Sequence, residues 1–223
     1  MRATYTQDQL DLEKTVRSLA EGERGRAREC LDAGWSELPL DAGLLRDFSV
    51  LGVPESAGGV GSSLVDLMIA VEVLGRSVVP SQFPAHAAAV QLALAAGHPL
   101  DDALEGRERW TLAVDEPRVA GWEELRASGP APALKTLVPY VGGADRIVSL
   151  GTDGVVVTTA AEVVVRESLD ASRTLADVRL EAAQAGPAGL GPQRAALVAA
   201  AELCGLAQGA IDLAAGYARG RKQ

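Results

Sequence analysis

Hydrophobic positions along this chain change their period twice. In "TQDQLDLEKTVRSLAEGERGRARECLDAG", Leu10, Leu12, Val16, Leu19 and Ala20 approximate one apolar stripe with charges elsewhere, the signature of an amphipathic helix. Thr6, with Gln9 three residues on, has the spacing of a capping box, and Asp32-Ala33-Gly34 reads as the stop. "DAGLLRDFSVLG" predicts a shorter helix closed by Gly52. "SLVDLMIAVEVLGRSVVP" is apolar around its whole circumference, which predicts a buried central helix. "FPAHAAAVQLALAAGHP" predicts a fourth, ended by Gly97 and Pro99.

From Trp110 the runs shorten. "RWTLAV", "DRIVSLG", "GVVVTTA", "EVVVRES" and "ADVRLE" are Val-rich and of strand length, with turn residues between them. Asp153-Gly154 is a hairpin signal. Closely spaced strands with no helix between them predict an antiparallel sheet or barrel. After the Gly/Pro linker "QAGPAGLGPQ" a helical pattern returns and runs to the last residue without a stop signal. Its Leu197, Leu203, Leu206, Ile211 and Leu213 lie on more than one side, so this helix needs other helices to cover it. The chain therefore reads as a piece of a longer protein.

Composition narrows the classes. A length of 223 residues, 48% of them apolar, is enough for a buried core in one or two domains. A net charge of -9 argues against a nucleic-acid or anionic-membrane surface. The apolar tracts are interrupted before membrane-spanning length, and the first residues carry no signal-peptide pattern, so we expect a cytoplasmic protein. Cys30 and Cys204 lack metal-ligand spacing and read as reduced packing thiols; His86 and His98 form no cluster with them, and no metal is expected. The loop "PESAGGVGSS" lacks the Lys-Ser/Thr ending of a phosphate-binding loop and follows no strand, so it reads as a tight connection.

Three stretches resemble the acyl-CoA dehydrogenase family: "LGVPESAGGVGSSLVDLMIAVEVLGRSVVP" (51–80), "LDASRTLADVRLE" (169–181) and "GLAQGAIDLAAGYARGRKQ" (205–223). The resemblance implies an α+β multidomain fold: an all-helical N-terminal domain (1–108), a small antiparallel β-barrel or sandwich (109–185), and the first helix of a C-terminal four-helix bundle (186–223). It further implies FAD bound between the β domain and the bundle, a dimer or tetramer, and oxidation of an acyl-CoA thioester to the 2-enoyl-CoA. In that chemistry a carboxylate takes the α proton while the β hydrogen leaves as hydride to the flavin. An electron-transfer flavoprotein then takes the electrons.

Several residues carry the resemblance to the cofactor. Arg221 matches an arginine that reaches the FAD pyrophosphate of a neighbouring subunit, and Gln223 lies nearby. In "LAVDEP", Val114 and Asp115 match a strand facing the flavin, with Asp115 where the family has Thr. In "LKTLVPYVGGADRIVSL", Leu137 and Pro139 replace a flavin-facing Trp and Thr, while Lys135, Ala144 and Asp145 keep the framework. Arg194 matches an arginine bordering the substrate. Gln193 has no proton affinity to act as a base, Glu202 reads as structural, and the catalytic base is expected beyond Gln223.

Losing polar flavin-facing groups while keeping fold markers resembles the non-base-carrying subunit of a heteromeric acyl-CoA dehydrogenase. A divergent catalytic homomer, a flavin-free homologue that completes a partner's site, and an oxidase-like or dehydratase-like relative are the alternatives.

Overall fold

The computed structural model describes residues 4–23, 41–114, 134–151, 153–168, 170 and 173–221. Thr6 caps α1 (Gln7–Gly22): its Oγ1 accepts the Gln9 N–H while Gln9 Oε1 accepts the Thr6 N–H, which satisfies two donors that a helix start leaves free. Gln9 also donates to Asp66 at 2.9 Å, and Asp66 caps the next long helix through the Ser63 N–H at 2.7 Å. One glutamine thus sets two helix starts against each other. The stop expected at Asp32-Ala33-Gly34 lies outside the described residues.

The helical part continues with α2 (Asp41–Phe48), α3 (Leu64–Arg76), α4 (Phe83–Ala95) and a single turn, α5 (Asp101–Leu104). Of these, α4 is the helix most completely enclosed. Phe83, His86, Ala89, Gln91 and Ala93 occupy different sides of it and all are inaccessible to solvent. By contrast α3, expected to be the central one, leaves Val65 exposed. Alanine explains the difference: small side chains let neighbours approach α4 from every side, whereas the bulkier α3 turns one stripe outward.

The strands are β1 (Trp110–Ala113), β2 (Leu134–Pro139), β3 (Arg146–Gly151), β4 (Gly154–Thr158), β5 (Ala160–Arg166) and β6 (Leu175–Leu180). They form two three-stranded sheets, β1-β3-β4 and β2-β6-β5. The Asp153-Gly154 hairpin joins β3 to β4, with Gly151 opposite Gly154. Two expectations need correcting. β1 and β3 pair parallel, not antiparallel, because the chain between them crosses to the other sheet to form β2. And β2 is a strand that alternation does not announce, since its irregular stretch from Lys135 to Val138 breaks the two-residue period. Lys135 is buried between the sheets and donates from Nζ to the Leu150 carbonyl at 2.9 Å, tying one sheet to the other. Within the first sheet, Asp145 accepts the Arg109 N–H at 2.7 Å and so joins the starts of β1 and β3.

The last element is α6 (Gly191–Gly220), 30 residues long. By length and composition it is apolar enough to cross a bilayer, which departs from the expectation that no tract here is. It lies instead along α3 and α4, burying Ala195, Val198, Ala201 and Gly205. The approach is unusually close. A Cβ on Gly205 would sit 2.0 Å from the Glu72 carbonyl oxygen, and one on Gly75 would sit 2.4 Å from that of Glu202. Glycines on both helices let the backbones touch. The opposite side of α6, with Leu203, Ile211, Leu213 and Tyr217, is exposed, in keeping with a helix apolar on more than one side. Cys204 is on that exposed side, so it is not the packing thiol expected; Cys30 lies outside the described residues.

Candidate functional site

The irregularity in β2 shapes the surface to which the resemblance points. Asp177 on β6 accepts the Leu137 N–H at 3.2 Å, and Arg166 on β5 donates to the same carboxylate. Held from below, Leu137 takes φ 53° and turns its side chain outward, where it is 41% exposed. That backbone region disfavours a residue with a Cβ, so the hydrogen bond offsets a local strain. The Arg166 guanidinium beside it holds the Asp177 carboxyl below the usual carboxylate range.

Two residues on, Pro139 ends β2. Its carbonyl accepts the Thr111 hydroxyl at 2.6 Å, which ties β2 to β1, and its ring nitrogen carries no proton to donate. Val114 follows β1, three residues beyond Thr111, or within about 10 Å at strand rise; it too is exposed. The end of β2 therefore adjoins the start of β1; Leu137 and Val114 are exposed apolar side chains, and neither 137 nor 139 offers a side-chain donor. Asp115 and Gln223 lie outside the described residues.

Arg194 and Arg221 do not share this place. They stand at opposite ends of α6, 27 residues apart, or about 40 Å at helical rise. Arg194 donates to Gln91 Oε1 at 2.9 Å and to the Gly52 carbonyl at 2.8 Å, locking α6 to α4 and to the turn that precedes α3. Its guanidinium is engaged within the fold. Arg221 is exposed at the helix end, with its N–H on the Tyr217 carbonyl.

Next to Pro139 is a junction that sequence reading misses. Tyr140 sits at φ 55° with its N–H on the Thr174 carbonyl, and its ring enters a small cleft between α3, α6 and the β2–β3 turn. Arg173 lies against Glu202 of α6 at 3.2 Å and against Asp170 at 3.1 Å. Burial pushes the Tyr140 phenol well above its ordinary pKa, with Arg173 pulling the other way, so the hydroxyl stays protonated at neutral pH. Glu202, read as structural, accepts this arginine and ties α6 to the strands. The "SRT" of residues 172–174 is a weak signal for Arg173, and a tyrosine in left-handed geometry has none. Among the described residues, no group of three His, Cys, Asp or Glu side chains is placed to hold a metal ion.

The order of helices, two small sheets and a long final helix is shared with known proteins. The chain is 35% identical over 198 residues to the acyl-CoA dehydrogenase FadE34 of Mycobacterium tuberculosis, a match covering 83% of this chain and 27% of that one. This match supports the chain as a member of the acyl-CoA dehydrogenase family. It spans about a quarter of the length of that curated relative. Among solved structures it superposes on the Tcur3481-Tcur3483 steroid ACAD with a TM-score of 0.76 at 24% identity, covering 97% of this chain and 68% of that one. The FAD complex of PigA matches with a TM-score of 0.70 at 16% identity, covering 100% and 71%. At those identities the structural likeness speaks to the fold. No protein-family model matches the chain.

Proposed function

We propose that this chain is a required subunit of an FAD-dependent acyl-CoA dehydrogenase, which oxidises an acyl-CoA thioester to the 2-enoyl-CoA. The irregular end of β2 carries the reading. Leu137 is turned outward by Asp177 at the position where the family places a flavin-facing side chain, and Val114, just past the end of β1, is exposed as well. These apolar groups fit one face of a planar ring system. They do not fit its polar edge, because Pro139 has no N–H to give and its carbonyl is taken by Thr111. Donors for that edge then come from backbone groups or from a second, related subunit. The Arg221 guanidinium is exposed, and its donor fork matches phosphate oxygens two at a time. About 40 Å from the start of α6, it serves a neighbouring subunit's FAD in this reading.

FAD, when bound, supplies the hydride acceptor. The α proton goes to a carboxylate outside the described residues, since Glu202 is ion-paired to Arg173. An electron-transfer flavoprotein is the proposed oxidant and the cytoplasm the proposed setting. A second reading keeps the chain flavin-free, a homologue that completes a catalytic partner's site. The engagement of Arg194 by Gln91 and Gly52 favours it, because the residue matched to the substrate border is occupied with holding helices together.

The test is to purify the chain alone and together with the product of a neighbouring acyl-CoA dehydrogenase gene, and to record visible spectra and thioester oxidation with a dye acceptor. Flavin retained only on co-purification, with activity, supports the proposal. Colourless preparations under both conditions overturn the flavoprotein reading.

A further inference from the structure

The sheet β2-β6-β5 ends on β5, whose outer edge pairs with no strand among the described residues. Every residue of β5 after Ala160 is exposed. Two of them should not be. Val163 and Val165 stand opposite Val178 and Ala176 of β6, on the face that those two residues bury in the β-domain core. Yet Val163 is 45% and Val165 76% exposed, so the core-forming face runs past its cover at this edge. An exposed Val-rich edge strand is a template for pairing, and proteins ordinarily blunt it with a proline, a bulge or an inward charge. β5 carries a register irregularity between Ala160 and Glu162, but the run Val163–Val165 beyond it has no proline, bulge or inward charge.

Its charges are arranged about a centre. In an antiparallel pairing of β5 with a second β5 around Val164, the positions facing each other add up to a constant. Glu162 then faces the second copy's Arg166, Val163 faces its Val165, and Val164 faces Val164. A two-fold axis normal to the sheet keeps like faces together, so the four valines form one patch continuous with Val178 and Ala176. The two Glu–Arg pairs flank Val164 on the other face. A shift of one residue loses both charge pairs and sets each valine against the wrong neighbour. Glu162 and Arg166 already bond Arg179 and Asp177 within the chain, so each new pair extends an existing row of alternating charge.

We propose that β5 is the seam of a two-fold dimer of this chain, joining two three-stranded sheets into one of six strands, β2-β6-β5-β5-β6-β2, with Val164 on the axis. The assignment does not depend on any cofactor. It also differs from association through the exposed side of α6, which lies on another element.

Sedimentation of the 223-residue chain over a range of concentrations gives the association constant. The expected result is a reversible dimer that Val164→Lys weakens by about tenfold or more, since two like charges then face each other on the axis. The same lysine stands opposite Asp177 within the monomer, so the fold tolerates it, and an unchanged circular dichroism spectrum checks this. Register is read by cysteine pairing in a Cys30→Ser, Cys204→Ser background. On mild oxidation Val164→Cys links to itself, and a mixture of Val163→Cys and Val165→Cys links across more readily than either variant alone. A chain that stays monomeric at every concentration overturns the proposal. So does a dimer indifferent to Val164→Lys, or one in which Val164→Cys does not link.

Discussion

Asp177 holds Leu137 by its backbone, 3.2 Å from carboxylate to N–H, and in doing so fixes a left-handed residue in the middle of a strand. The contact joins two strands distant in sequence and decides which way the β2 surface faces. Asp177→Ala removes the acceptor and leaves both the Leu137 N–H and the Arg166 guanidinium to solvent or to nothing. The expected cost is about 1–3 kcal/mol in urea unfolding, and Asp177→Asn, which keeps an acceptor, is milder. Because this carboxyl titrates below its unfolded value, its stabilisation is present above the unfolded pKa and lost as pH falls through the folded one.

Gly205 carries the contact of α6 with α3. A methyl group there meets the Glu72 carbonyl at 2.0 Å, and backbone cannot yield as a side chain can. Gly205→Ala is expected to cost about 3 kcal/mol or more. Gly216→Ala, on the same helix but with open space around it, is expected to stabilise by about 0.5–1 kcal/mol through helix propensity. Thermal melts of the two variants should move in opposite directions.

Two buried groups oppose each other in pH. Burial raises Asp41 to about 6 against the bonds from Ser81 and Gln82, so its contribution is full at low pH and falls away as pH rises through 6. Burial lowers His86 to about 4, where its Nδ1 accepts the Trp110 N–H and its Nε2 lies 3.1 Å from the Ser49 hydroxyl. Its contribution is present above the unfolded histidine value and lost as pH falls through 4. Between those values the two slopes offset. Asp41→Asn removes one of them, so the variant's stability should climb more steeply than the wild type's from about pH 4 to pH 6. Denaturation midpoints across that range measure it.

If Leu137 and Pro139 limit the flavin site, restoring the family's residue types should improve it. Pro139→Thr returns a hydroxyl and an N–H, and Leu137→Trp returns a broad aromatic face. The double variant, co-purified with a related subunit, should retain flavin at lower free concentration than the wild type by about tenfold, on the order of one good hydrogen bond. Fluorescence titration with FAD reads this directly, and unchanged affinity would remove these two positions from the site.

Much of this was legible in the chain. The Thr6–Gln9 cap, the helices around Leu67 and Phe83, and the Asp153-Gly154 hairpin follow from local chemistry, because caps, stripes and turns act over a few residues. The loop and helix of residues 51–80 point to the family for the same reason. One miss, the membrane-length apolar tract of α6, is local; those that concern the site are long-range. β2 escapes notice since its strand period is broken at Leu137, and the acceptor that stabilises the break is forty residues away on β6. Tyr140, Arg173 and Glu202 come from three segments and meet only where α3, α6 and the β2–β3 turn converge.

Local pattern carries the order of helical, strand and helical segments and shows which of their faces are apolar. Tertiary structure alone decided that β1 and β3 run parallel, that Arg194 is bound to Gln91 and Gly52, and that α6 touches α3 through glycines. The reason is physical: periodicity records whether a residue faces an interior, whereas a partner is chosen by geometry that only the assembled chain brings within hydrogen-bond reach.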